Sequence, residues 1–142
     1  MKSLLLIVIL ATLVTGCSSG NSNSAAGRPE QVPHVIAANE AAAQARLRSI
    51  VTAEMAYQFE GEGNYATLDE LVKKGAMSDP SQGKLTGYRF DVKVKPGGFE
   101  VTAVPERFGI SGNRSFYVDE SRVLRAANKG GQPASASDPI AQ

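Results

Sequence analysis

Tyr88-Arg89-Phe90-Asp91-Val92-Lys93-Val94-Lys95-Pro96-Gly97-Gly98-Phe99-Glu100-Val101-Thr102-Ala103-Val104 reads as two passes of alternating residue character around a Pro-Gly-Gly turn. A period of two sends successive side chains to opposite faces, so each pass is a strand with one buried face and the pair is a hairpin. Pro105 ends the ladder because it has no N–H to donate. Downstream, Arg114 to Val118 forms another strand, with Phe116 and Val118 on one face and Tyr117 on the other. Asp119-Glu120-Ser121 then turns the chain, and Arg122 to Arg125 is expected as a short edge strand whose arginines discourage pairing with other chains. From Ala126 to Gln142 the chain is Gly, Pro, Ser and Ala with few large apolar residues, which is expected to be a disordered tail.

A sheet with one apolar face needs a cover, and the segment before the hairpin supplies it. From about Val35 or Ala38 to Phe59 the chain is rich in Ala, Glu, Gln, Arg, Leu and Met and has neither Gly nor Pro, a strong helix composition. At about 100° per residue, Leu47, Ile50, Val51 and Tyr57 share one stripe, with Met55 at its edge, while Gln44, Arg46, Arg48 and Gln58 lie largely outside it. Glu54 falls near the centre of that stripe, where burial of an unpartnered charge is costly. It is either a carboxyl tuned by burial for chemistry, or a structural group bonded to backbone N–H groups, Tyr57 or Arg46; the second reading is favoured because no other acid–base candidate converges on this stretch. The glycines of Phe59-Glu60-Gly61-Glu62-Gly63-Asn64-Tyr65 stop the helix. Thr67-Leu68-Asp69-Glu70 fits a capping box and Lys73-Lys74-Gly75 a helix end, giving a short helix over about Leu68 to Lys74. The expected fold is therefore α+β: a long N-terminal helix packed on an antiparallel sheet of three or four strands, with one short extra helix.

Composition narrows the function. The chain has 142 residues, with 15 Lys+Arg against 14 Asp+Glu, so it offers no electrostatic footprint for nucleic acid. One Cys and one His cannot complete a four-ligand structural zinc site or an internal disulfide. His34, beside Pro33, is read as a tether residue and not as a ligand or a catalytic group. Asp79, Asp119 and Glu120 are loop carboxylates without the dense ligand spacing of a calcium loop, so no metal is expected.

Met1-Lys2-Ser3 is a short positive start, and in Leu4 to Val14 only Thr12 is polar. This is the pattern of a signal peptide, too short at roughly 16 Å of helix to span a hydrocarbon layer of about 30 Å. Leu13-Val14-Thr15-Gly16-Cys17 resembles a bacterial lipobox. The resemblance implies that Cys17 is acylated and becomes the N-terminus. Several acyl chains hold a protein to a membrane where one gives only marginal binding. The alternative, an ordinary secretory signal with an unrelated cysteine after it, would leave a reactive thiol that acylation removes. Ser18 after the cysteine implies, by the same resemblance, sorting to an outer membrane. Residues 1–16 are then a lipoprotein signal peptide, 17–37 the lipidated cysteine and a flexible tether, 38–125 the folded domain and 126–142 the tail. No cofactor is expected apart from the covalent lipid on Cys17. The tether has a reach of roughly 20–25 Å.

Asn39-Glu40-Ala41-Ala42-Ala43, Leu47 to Glu54, Tyr57, Gly63-Asn64-Tyr65, Thr67 to Leu71, Gly87 to Phe90, Gly98 to Ala103 and Arg114 to Glu120, in this order, resemble the soluble domain of type IV pilin-like and type II secretion pseudopilin proteins. The likeness covers about residues 38–125. It implies a non-enzymatic head that contacts an envelope, secretion or pilus protein. A lipobox and polar tether stand where filament-forming relatives carry a long apolar helix, so a filament subunit of the usual kind is not expected. The expected function is a lipid-anchored structural or interaction module of the cell envelope, on the inner or outer membrane and facing the periplasm or the exterior. Phe108 and Ile110, in a loop with Gly109, are the candidate partner contacts, unless they fold back on the domain. The competing reading is a small ligand-binding or glycan-acting domain pairing Glu54 with Asp91 or Asp119.

Overall fold

The computed structural model describes residues 31–60, 63–79 and 87–142. Helix α1 runs over Gln31–Glu60 and α2 over Leu68–Lys73; the strands are β1, Tyr88–Lys95; β2, Gly98–Pro105; β3, Ser115–Asp119; and β4, Arg125–Ala127. All neighbours pair antiparallel in the order β1-β2-β3-β4. The fold is the α+β arrangement expected, with four strands.

The register builds one apolar face. Phe90 sits opposite Ala103, Val92 opposite Val101 and Val94 opposite Phe99. Val101 then faces Val118, Ala103 faces Phe116, and Phe116 faces Ala126. Helix α1 packs on β2 and β3, and Leu47, Ile50, Phe99, Val101 and Phe116 are fully enclosed between the layers. Truncating such a phenylalanine costs about 3–5 kcal/mol in typical cores. The inner face of α1 carries Ala43, Ala53, Glu40 and Glu54 as well as Leu47, Ile50 and Val51. The small alanines let the helix approach the sheet closely, while the two carboxylates blunt its amphipathic signature.

Helix α1 begins earlier than expected. Residues 31–37, placed by composition in the flexible tether, are helical. Pro33 is compatible with this because it sits in the first turn, where its missing N–H has no intrahelical partner to lose. The 30 residues make a rod of about 45 Å. From Pro33 on, its first buried residue is Glu40.

Helix α2 is closed at both ends by local chemistry. Thr67 Oγ1 accepts from the Glu70 N–H at 3.4 Å, and Glu70 Oε2 accepts from the Thr67 N–H at 2.8 Å. The Thr67 N–H and hydroxyl together hold the Glu70 carboxyl below the ordinary carboxylate range. At the other end the Ala76 N–H reaches the Leu71 carbonyl and the Gly75 N–H the Val72 carbonyl, with Gly75 at φ 73°. That is a Schellman closure, and it needs the left-handed residue that glycine supplies.

Two expectations at the C-terminal end are corrected. The last strand is Arg125–Ala127, not Arg122 to Arg125. Asp119 Oδ1 accepts from the Ser121 N–H and the Arg122 N–H donates to the Asp119 carbonyl, so the turn holds the chain until beyond Arg122. The stretch 126–142 is not a disordered tail. Ile140 bridges Arg125 on the free edge of β4, the Ala126 N–H donates to the Pro139 carbonyl, and the Ala141 N–H donates to the Leu124 carbonyl. Asp138 organises the return, accepting from the Ser135 N–H at 2.8 Å and from Lys129 Nζ at 3.2 Å. Small residues suit this close pairing, and Pro133 shares a hollow on the outer face of the sheet with Thr102 and Val104. Val104 and Tyr117 are buried, so both faces of β3 are enclosed, although Tyr117 lies opposite to the core face as expected.

Candidate interaction surface

The loop between β2 and β3 is a self-bonded knot. The Arg107 N–H donates to Ser111 Oγ at 2.9 Å, and Ser111 returns both its N–H and its hydroxyl to the Arg107 carbonyl. The Gly109 N–H donates to the Gly112 carbonyl, with Gly109 at φ 78°. The base of the loop is fixed by the Tyr88 hydroxyl, which donates to the Arg114 carbonyl at 2.7 Å. Gly112 is required there, since an added Cβ would stand 2.0 Å from that hydroxyl oxygen.

Helix α1 then clamps the knot. Asn39 Nδ2 donates to the Ser111 carbonyl at 2.9 Å. Glu40 Oε1 accepts the Asn113 and Arg114 N–H groups at 3.0 and 3.1 Å, and its Oε2 accepts Arg114 Nε at 2.8 Å. One carboxylate thus satisfies two backbone donors and a guanidinium, with its side chain only 10% exposed. Charge-assisted bonds of this kind are about twice as strong as neutral ones. Sequence reasoning does not single out Glu40 as a site residue. Its signal is the one that exposes Glu54: a carboxylate on the buried stripe of α1.

On this rigid support Phe108 and Ile110 are 44% and 51% exposed. They do not fold back into the core. Val35, one turn before Asn39 on the same helical face, is 51% exposed and extends the apolar character of this end of the molecule onto α1.

Glu54 is placed differently. It is fully buried, its Oε2 accepts the Ala66 N–H at 3.0 Å, and Oε1 has no hydrogen-bond partner. Burial pushes its carboxyl above the ordinary range, the Ala66 N–H pulls it back in part, and the charge of Glu70 adds to the rise. The backbone partner is Ala66, not Tyr57 or Arg46; Tyr57 lies under the ammonium of Lys74, 4.6 Å from the ring centroid. Asp91 and Asp119 are on the outer face of the sheet, in line with Thr102 and Tyr117, so the sheet stands between Glu54 and both proposed carboxylate partners. Asp119 is engaged by the Tyr117 hydroxyl and Ser121, and Glu120 by the Phe99 N–H and Lys95. Among the described residues, no group of three or more His, Cys, Asp or Glu stands where it could hold a metal ion.

His34 is exposed on the first turns of α1. Leu13, Val14, Thr15, Gly16 and Cys17 lie outside the described residues. Among the described residues no helix is long and apolar enough to cross a membrane. The chain matches no protein-family model, no curated protein and no solved structure.

Proposed function

We propose that this chain is a lipid-anchored, non-catalytic module of the bacterial cell envelope, whose pilin-like head contacts a protein partner through Phe108 and Ile110. Acylation at Cys17 would tie it to the inner or outer membrane. The observation that supports the interaction role is the loop knotted by Ser111 and clamped by Glu40, which holds two large apolar side chains half in water. An apolar pair on a preorganised support loses little entropy on binding, and such pairs form the centres of interfaces.

The test is a photoreactive phenylalanine analogue placed at position 108 or 110 in cells carrying the full chain, with position 59 as control. Phe59 is 93% exposed at the far end of α1, so it reports surface accessibility alone. A discrete crosslinked protein from positions 108 and 110, lost when the other of the two is changed to Ser, is the expected result. Crosslinking at 108 and 110 indistinguishable from that at 59 would overturn the proposal.

A further inference from the structure

Strand β1 lies at one edge of the sheet, and its register with β2 fixes which of its backbone groups face outward. The Glu106 N–H donates to the Gly87 carbonyl at 2.8 Å, one step beyond the Tyr88–Pro105 pair. Hydrogen-bonded and non-bonded pairs alternate along an antiparallel ladder, so Arg89, Asp91, Lys93 and Lys95 bond across to β2. Phe90, Val92 and Val94 therefore turn their N–H and carbonyl groups away from β2, and none of these groups has a partner among the described residues. The opposite edge is treated otherwise, since the chain's own Ile140 and its neighbours close β4.

The side chains along this free edge are also incompletely used. Helix α1 packs on β2 and β3, where Phe99, Val101 and Ala103 are wholly enclosed, but on β1 Phe90 and Val92 are half-buried and Val94 is 44% exposed. The outer face of β1 carries Arg89, Asp91, Lys93 and Lys95. Lys95 is engaged by Glu100 at 3.2 Å and Glu120 at 3.5 Å. Arg89 has no ion pair among the described residues, and Lys93 reaches only Asp91, at 3.9 Å, with both side chains mostly in water. Three cations against one anion repel a second copy of the same edge, which is how charged edges discourage self-pairing. The same charges admit an acidic strand and so select among partners.

Strand β2 already displays the residue pattern that β1 accepts: it sets Glu100 opposite Lys93, Val101 opposite Val92 and Thr102 opposite Asp91. An antiparallel strand added on the free side would face Arg89, Asp91 and Lys93 in non-hydrogen-bonded pairs, where side chains approach most closely. We propose that the free edge of β1 takes up an extended segment of a protein partner as an added antiparallel strand of the pattern Glu-Val-Thr-Val-Glu. Its acids face Arg89 and Lys93, its polar residue faces Asp91, and its apolar residues extend the row of Phe90 and Val92. In strand addition of this kind the main chain gives affinity and alternate side chains give specificity. The surface is not the Phe108–Ile110 loop, and the proposal stands apart from the role given to that loop.

The test is a titration of the full chain with an acetylated and amidated Ser-Glu-Val-Thr-Val-Glu-Ser peptide, read by amide hydrogen exchange. In the free chain the Phe90, Val92 and Val94 amides should exchange faster than those of Arg89, Asp91 and Lys93, and saturating peptide should slow those three amides about ten-fold or more. A peptide with Lys in place of both Glu residues should need about ten-fold more for the same protection, since each charged pair across a ladder is worth up to a few-fold. A peptide with both valines N-methylated keeps the charges but cannot complete the ladder, and should give no protection. Arg89→Glu alters an exposed side chain and should weaken the acidic peptide about ten-fold without lowering Tm. Slow exchange at Phe90, Val92 and Val94 without peptide would overturn the proposal: independent of protein concentration, it would mean that another segment of this chain fills the edge, and rising with concentration, that a second copy does. Equal protection by the lysine or the N-methylated peptide, or no protection by the acidic one, would overturn it as well.

Discussion

Glu40 and Glu54 lie within about 40° of each other on α1, and the fold treats them in opposite ways. Glu40 has a full set of donors, two of them backbone groups of the β2–β3 loop, whereas Glu54 has the Ala66 N–H on one oxygen and nothing on the other. Removing the Glu40 charge orphans Arg114 and two N–H groups, so Glu40→Ala should destabilise by about 2–4 kcal/mol. Hydrogen exchange of residues 106–114 should accelerate more than that of the hairpin. Glu54 behaves inversely. Its folded-state pKa is raised, so its favourable contribution is fully present below the unfolded value of about 4.3 and is lost as pH rises through the folded value. Glu54→Gln should therefore raise Tm at pH 7, with the gap closing as pH falls through the folded value toward about 4.3. Thermal melts across that range check it. A variant less stable than wild type at pH 7 would mean that the Glu54 charge is compensated in the fold.

Among the elements, those closed by near neighbours are legible in the sequence. The β1–β2 hairpin follows from alternation around Pro96-Gly97-Gly98, and α2 from Thr67, Glu70 and Gly75, because each partner lies within a few residues. What escapes the sequence is held from far away or hidden by composition. The start of α1 is expected too late because Pro33 reads as part of the tether, although the first turn of a helix tolerates it. The Glu40 clamp joins groups more than seventy residues apart, and no local pattern announces it. The C-terminal stretch misleads through composition. It lacks apolar bulk, yet backbone pairing with β4 and the Asp138 hub hold it without that bulk. Removing residues 130–142 should uncover the β4 edge and give concentration-dependent oligomers in light scattering, since an unpaired edge templates further strands. A milder version uses pH. The Ser135 N–H and Lys129 hold the Asp138 carboxyl below the ordinary range. Its contribution is therefore present above the unfolded value of about 3.9 and disappears as pH falls through the lower, folded one. Exchange protection at Ala126 and Ala141 should fall with it, and in Asp138→Ala it should be reduced already at neutral pH.

For the whole molecule, the arrangement is a rod that meets the sheet from Asn39 to Glu54. The exposed first turns of α1, bearing Val35, and the Phe108–Ile110 loop lie at the same end, the end from which the chain leads back toward Cys17. On the proposed reading, a head presented this way would meet a partner near the membrane to which acylation at Cys17 would tie it. The acylation of Cys17 is the claim on which that account turns. Mass spectrometry of the mature N-terminus, combined with membrane fractionation of wild type and Cys17→Ser, tests it most directly. The account predicts a wild-type chain that begins at Cys17, carries acyl chains and sediments with membranes, and a Cys17→Ser chain that lacks the lipid and leaves the membrane fraction. An unacylated wild-type chain, or a Cys17→Ser chain equally bound to membranes, would contradict it.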